Sequence, residues 1–138
     1  MKKIDAKVAH YSAMPAKIFG PDAPGTSIRV LISDLQDGAP VYNMRMIEVE
    51  AGGSTPLHAH PYEHENYVLE GRGQVLINDQ LYPIVAGVVI LVPPNAIHQY
   101  RNTGDTLLRF LCSVPVESLR PVVQQDDARQ TNTPASKE

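Results

Sequence analysis

Four of the five histidines in this chain fall into one pattern, His58-Ala59-His60-Pro61-Tyr62-Glu63-His64 followed by His98. Imidazole is neutral near pH 7 and is the commonest protein ligand for transition metals. A cluster of this kind, set among strands and glycine turns, has the composition that a buried mononuclear metal site requires. In a strand, residues two apart share a face, so His58 and His60 would present both rings to one side. Pro61 then interrupts the ladder and permits a corner, after which His64 can re-enter from the next strand. His98 follows the turn Pro93-Pro94-Asn95, where another strand can begin. A lone His-x-His would equally suit a half-exposed polar strand. His64 and His98, both at turn-bounded strand starts, shift the balance to a metal site that converges on one interior point from three strands. His10 lies far from this group and reads as a surface residue.

The elements that must carry these histidines read as short strands. Ser27–Leu35, Tyr42–Glu50, Asn66–Leu69, Gln74–Ile77, Leu81–Val85, Val88–Val92, Ile97–Arg101 and Thr106–Val114 are rich in aliphatic and β-branched residues. Each is bounded by Gly, Pro, Asn or Asp. Eight or nine strands at such spacing predict an all-β sandwich or barrel. Residues 1–25 read as an N-terminal arm with room for one short strand, closed by Gly20-Pro21-Asp22-Ala23-Pro24-Gly25. No segment of the body carries a helical period, although a short helix fits near Pro115–Val123. The polar stretch Gln124–Glu138 lacks apolar anchors and reads as a disordered tail.

Composition narrows the function classes. With 138 residues the chain suits one domain. Its formal charge of −3 and lack of a basic cluster argue against nucleic acid as a partner. No run of about 18 apolar residues is present to span a membrane, and the charged start has no apolar segment of the kind that a secretory signal needs. A single cysteine, Cys112, rules out an internal disulfide framework and favours a reducing, cytoplasmic setting.

The chain resembles the cupin superfamily, whose two motifs read G-x5-H-x-H-x3,4-E-x6-G and G-x5-P-x-G-x2-H-x3-N. Here the first is carried by Gly52, His58, His60, position 64 and Gly71; the second by Gly87, Pro93, His98 and Asn102. Asn95 replaces the motif glycine, a substitution that the turn should tolerate because asparagine enters the left-handed region readily. Counting back from Gly71 puts the first motif's acidic position at His64, with Glu65 one residue later. His64 is therefore taken as the ligand, and Glu65 is placed on the other face or beside the ligands. The resemblance implies a single-domain double-stranded β-helix (jelly-roll) barrel over residues 26–116, with a C-terminal extension over 117–138. The stretch His58–Gly71 is similar to small cupins with four histidine ligands, which implies one divalent ion per chain. Manganese or iron is the usual metal of that group, while imidazole donors alone would also suit zinc, nickel or copper.

Four neutral imidazoles leave the ion's charge uncompensated, so an anionic ligand is favoured at the open positions. Several further residues are candidates for the cavity. Tyr42, Met44 and Met46 alternate along one strand, and Phe110 and Cys112 along another. Tyr100 shares the face of His98. Asn66 shares that of His64 and could support the ligands. Arg45 and Arg101 could hold a carboxylate if they pointed inward, but arginine is ordinarily a surface residue. No Ser-His-Asp or Cys-His arrangement and no phosphate-cradling loop is evident. Two functions follow as expectations. One is a metal-dependent oxygenase or oxidoreductase, such as a dioxygenase, acting on a small and anionic organic substrate; the other is a non-catalytic, metal-dependent binding or sensing module. Exposed barrel edges also predict a homodimer.

Overall fold

The computed structural model describes residues 3–121. Among them are nine strands: β1 (Ala16–Gly20), β2 (Ala23–Ile32), β3 (Tyr42–Val49), β4 (His64–Glu70), β5 (Arg72–Ile77), β6 (Gln80–Val85), β7 (Val89–Val92), β8 (His98–Arg101) and β9 (Leu108–Pro115). They form a six-stranded sheet in the order β1-β2-β3-β9-β4-β7 and a three-stranded sheet in the order β6-β5-β8. All pairs are antiparallel. The all-β cupin architecture expected from the motifs is the one observed.

One core lies between the sheets. Ile47, Val49, Val68 and Phe110 enter it from the larger sheet, and Val75, Ile84 and Tyr100 from the smaller. Strict alternation on β4 and β9 builds it: Val68, Leu108, Phe110 and Val114 are buried, whereas Tyr67 and Leu69 face outward. Each fully buried Val, Leu or Phe contributes roughly 1.5–3 kcal/mol, enough to fix the register of strands that would slip with no apolar face.

Turn chemistry sets the corners. Gly71, at φ +85, joins β4 to β5, and a Cβ there would lie 2.2 Å from the Leu107 carbonyl oxygen. Only glycine satisfies both constraints. Asn95 adopts φ +69, so it takes the conformation of the motif glycine that it replaces. Asn102, the last residue of the second motif, donates to the carbonyls of Val49 (2.7 Å) and Thr106 (2.8 Å) and thereby ties a corner of the barrel.

Three local expectations are corrected. The strand expected over Ser27–Leu35 ends at Ile32, because Ser33 caps one helical turn, α1 (Asp34–Asp37), by accepting from Gln36 N at 3.1 Å. The arm holds the one short strand expected of it, β1, but its closing turn is shorter than expected, because β2 already starts at Ala23. The rest of the arm is docked. Lys7 pairs with Asp37 at 3.0 Å, and the Tyr11 ring lies under the guanidinium groups of Arg29 and Arg109. His10 is exposed, as expected, and caps the 3-10 turn Tyr11–Ala13. Near Pro115–Val123 the structure has a 3-10 turn over Glu117–Leu119. The tail expected over 124–138 lies outside the described residues. Among those described, no helix is long and apolar enough to cross a membrane.

Candidate metal centre

The third correction concerns how the histidines are carried. His58 and His60 do not lie on a strand. They sit on the connection between β3 and β4, where Pro56 and Pro61 remove ladder donors. His58 is held by an isolated antiparallel bridge to His98, with His98 N donating to His58 O at 2.9 Å and His58 N to His98 O at 3.2 Å. Asn95 N donates to His60 O at 2.7 Å and secures the next ligand position. His64 is the first residue of β4 and His98 the first of β8. Two strand starts and one tethered loop thus do the work expected of three strands.

The four rings meet edge to face. Centroids are 4.5 Å apart for His60–His64, 4.7 Å for His58–His98, 4.9 Å for His64–His98 and 5.0 Å for His60–His98. One nitrogen from each lies within 4.8 Å of the others. His60 Nε2 faces His64 Nε2 at 2.9 Å. Two imidazole nitrogens held at right angles by an ion at about 2.1 Å stand roughly 3 Å apart. The donor set therefore fits one transition-metal ion, and the four histidines could hold it.

Neighbouring groups orient these donors. His60 Nδ1 bonds the Tyr62 carbonyl at 2.8 Å, and His98 Nδ1 bonds the Ala96 carbonyl at 2.9 Å. A carbonyl only accepts, so each Nδ1 carries the proton and each Nε2 presents its lone pair to the centre. The Tyr62 ring stacks on His60 at 4.0 Å. His64 Nδ1 contacts Cys112 Sγ at 2.9 Å. Burial, then the charge of Arg45 and the neighbouring imidazoles, holds His64 far below the ordinary histidine range. His64 is neutral, the form that binds metal.

Beside the histidines lies a cavity of about 90 Å³, walled by Phe19, Ile28, Ile47, Pro56, Tyr100 and Phe110, with Arg45 and Cys112 reaching its lining. Two larger hollows, of about 590 Å³ along β6 and β7 and about 370 Å³ beside Tyr42 and Tyr62, contain none of the four histidines in their lining. Among the described residues, no aspartate or glutamate lines the cavity. Tyr100 donates its hydroxyl to Asn66 Oδ1, Asn66 Nδ2 donates to the Leu111 carbonyl, and Phe110 stacks on Tyr100 at 4.4 Å. Burial pushes the Tyr100 phenol well above its usual range, so it keeps its proton.

Of the sequence candidates, the structure brings His58, His60, His64, His98, Asn66, Tyr100 and Phe110 together. It separates five others. Tyr42 is 72% exposed and borders the outer groove. Met44 and Met46 point to the face of β3 opposite Ile47, toward the side on which the arm docks. Glu65 is exposed and lies on the face of β4 opposite His64, away from the ligands. Arg101 is exposed, but Arg45 turns inward, against the ordinary behaviour of arginine. Phe19, Ile28 and Ile47 were missed as cavity residues. The sequence places Phe110 and Cys112 on one face of their strand. The β3–β9 register, which opposes Ile47 to Phe110 and Arg45 to Cys112, is the signal that would have assigned that face of β3 correctly.

Residues 45–114 match the Cupin domain family. The protein SchB of Streptomyces halstedii is 30% identical over 112 residues, covering 80% of this chain and 81% of that protein. The structure of the polyketide cyclase RemF from Streptomyces resistomycificus superposes with a TM-score of 0.76 at 31% identity, over 95% of this chain and 96% of that one. An oxalate-binding protein of Thermotoga maritima is 36% identical over 69 residues, which is 49% of this chain and 57% of that protein. With its two motifs, its barrel and its histidine cluster in place, the chain belongs to the cupin family.

Proposed function

We infer that this chain holds one divalent transition-metal ion on His58, His60, His64 and His98, and that it binds and activates a small organic oxygen anion there. The observation that carries this reading is the composition of the site: four imidazole donors and an inward arginine, with no carboxylate among the described cavity residues. When bound, the ion would supply Lewis acidity toward anionic oxygen. The residues of the chain do the rest. Phe19, Ile28, Ile47 and Phe110 exclude water and seat an apolar body, and Tyr100 is fixed by Asn66 as part of the wall.

Two chemistries fit this site. Oxygenase or oxidoreductase chemistry, implied by the motifs, requires a redox-active metal such as manganese or iron. Carbon–carbon bond formation on an enolisable substrate requires only a Lewis acid. Similarity to a polyketide cyclase over nearly the whole chain favours the second. Similarity to an oxalate-binding protein favours a carboxylate ligand, either bound without turnover or activated. Enolates and carboxylates share the oxygen anion on which this reading rests. The edge strands β1 and β7 also support the expected homodimer, which light scattering on the purified chain would test.

The deciding experiment measures metal content, ligand binding and oxygen uptake on chain reconstituted with Mn(II), Fe(II) or Zn(II). One equivalent of metal together with anion binding supports the reading. Oxygen uptake with a redox metal selects the oxygenase branch, and anion binding or turnover with Zn(II) selects the other. A chain that takes up no metal overturns the reading.

A further inference from the structure

We propose that Arg120, near the end of the described residues, is a positioning residue for the metal-ligand candidate His60 and acts on it through Tyr62. This deepens the metal reading above and rests on it. Three flat groups form a chain of contacts. The Arg120 guanidinium carbon stands 4.7 Å from the centroid of the Tyr62 ring. That ring lies 4.0 Å from the His60 imidazole, with 13° between the two planes. The imidazoles of His58, His64 and His98 meet His60 edge to face instead, at 63°, 82° and 80°.

His60 has no ladder to hold it, because it sits in the β3–β4 connection with Pro61 directly after it. Its Nδ1 donates to the Tyr62 carbonyl at 2.8 Å. One such bond leaves an imidazole free to pivot, since the torsion that turns the ring is broad. A flat ring packed against it sets the plane, and with it the direction in which Nε2 points. Tyr62 therefore gives His60 two restraints, one from its main chain and one from its ring. The Tyr62 ring must in turn be held, and Arg120 holds it from an anchored base. Val116 is buried, and its N–H donates to the Val41 carbonyl at 2.9 Å. The 3-10 turn Glu117–Leu119 follows. Arg120 closes that turn, with its N–H on the Glu117 carbonyl at 3.1 Å and its Nε on the Pro115 carbonyl at 3.0 Å. A guanidinium over an aromatic ring is favoured both by charge and by its flat shape. The turn after β9 thus reaches the histidine cluster through a single aromatic side chain.

The test compares the full wild-type chain with Arg120→Met and Arg120→Lys. Chelator competition reads the affinity for Zn(II), and urea denaturation reads the stability of the metal-free chain. Long-range nitrogen–proton NMR correlation at constant pH reads the His60 ring tautomer on the metal-free chain. Arg120→Met keeps an unbranched stem and removes the planar cation. It should weaken Zn(II) binding about threefold to tenfold, leave the urea midpoint unchanged and let His60 populate the tautomer with its proton on Nε2. Arg120→Lys should recover part of the affinity, because a cation returns to the ring without the flat fork. Wild-type Zn(II) affinity in Arg120→Met overturns the proposal. A loss of affinity matched by an equal fall in urea stability also overturns it, since that marks a structural role alone. If Arg120→Met does not fold, Arg120→Lys is set against wild type: weaker Zn(II) binding with an altered His60 tautomer supports the proposal, and no change in either overturns it. If the wild-type chain takes up no Zn(II), the metal reading fails. The Arg120 effect on His60 is then decided on the metal-free chain, where an unchanged tautomer in Arg120→Met overturns it.

Discussion

Arg45 and Cys112 face each other across β3 and β9, and Cys112 Sγ touches both the Arg45 guanidinium (3.6 Å) and His64 Nδ1 (2.9 Å). One buried sulfur therefore links the cationic wall of the cavity to a metal-ligand candidate. Outer partners of ligating histidines typically change metal affinity by about 10–100-fold when removed. Cys112→Val keeps the volume and deletes the polar contact. It is expected to weaken the hold on metal by about tenfold, with little change in fold stability. Chelator competition on both proteins measures this.

His64 and Glu65 compete for one motif position, and the structure points them to opposite faces. His64→Ala is expected to lose bound metal, whereas Glu65→Ala keeps it. Metal analysis of the two purified variants decides the matter. Equal retention in both would sink the four-histidine site.

Acid should destabilise the metal-free protein through His64. Burial lowers its affinity for a proton relative to the reference value of 6.5 in the unfolded chain. Below that pH the unfolded state binds a proton that the folded state refuses, so stability falls as pH drops. The slope for one such group is about 1.4 kcal/mol per pH unit. Chemical denaturation of the metal-free chain between about pH 7 and pH 5 should show the fall, and His64→Asn should flatten it.

Two glycines with nearly the same backbone angle should respond differently to alanine. Gly71 has φ +85 with the Leu107 carbonyl 2.2 Å from a new Cβ, while Gly52 has φ +82 and open space around it. Gly52→Ala bears only the conformational cost, about 1 kcal/mol. Gly71→Ala adds a backbone clash and should cost about 2–4 kcal/mol. Urea midpoints of the two variants test the difference.

Much of this molecule can be read from its residues, for identifiable reasons. The histidine cluster was legible because it sits at fixed distances from Gly71, Gly87, Pro93 and Asn102. The Asn95 turn was legible because asparagine accepts φ +69. The cavity face of β3 was not. Met44 and Met46 on one face and Ile47 and Val49 on the other make both faces apolar, so alternation carries no information there. The outer face is apolar because the N-terminal arm docks on that side, a tertiary fact that no local pattern records. The run Ser27–Leu35 looked like a single strand because the capping serine lies inside an aliphatic stretch. The segment bearing His58 and His60 was read as a strand because its same-face geometry comes from one bridge to His98 and not from a ladder.

The histidines lie at 58–64 and 98, whereas Phe19, Ile28, Arg45 and Ile47 come from the first three strands. On the function proposed above, ligand preference and metal retention would be written in largely separate stretches of chain. A lineage or an engineer could exchange the β1–β3 wall to admit a different anion while every donor nitrogen stays where it is. Substitutions in that wall form the natural library for redirecting this barrel.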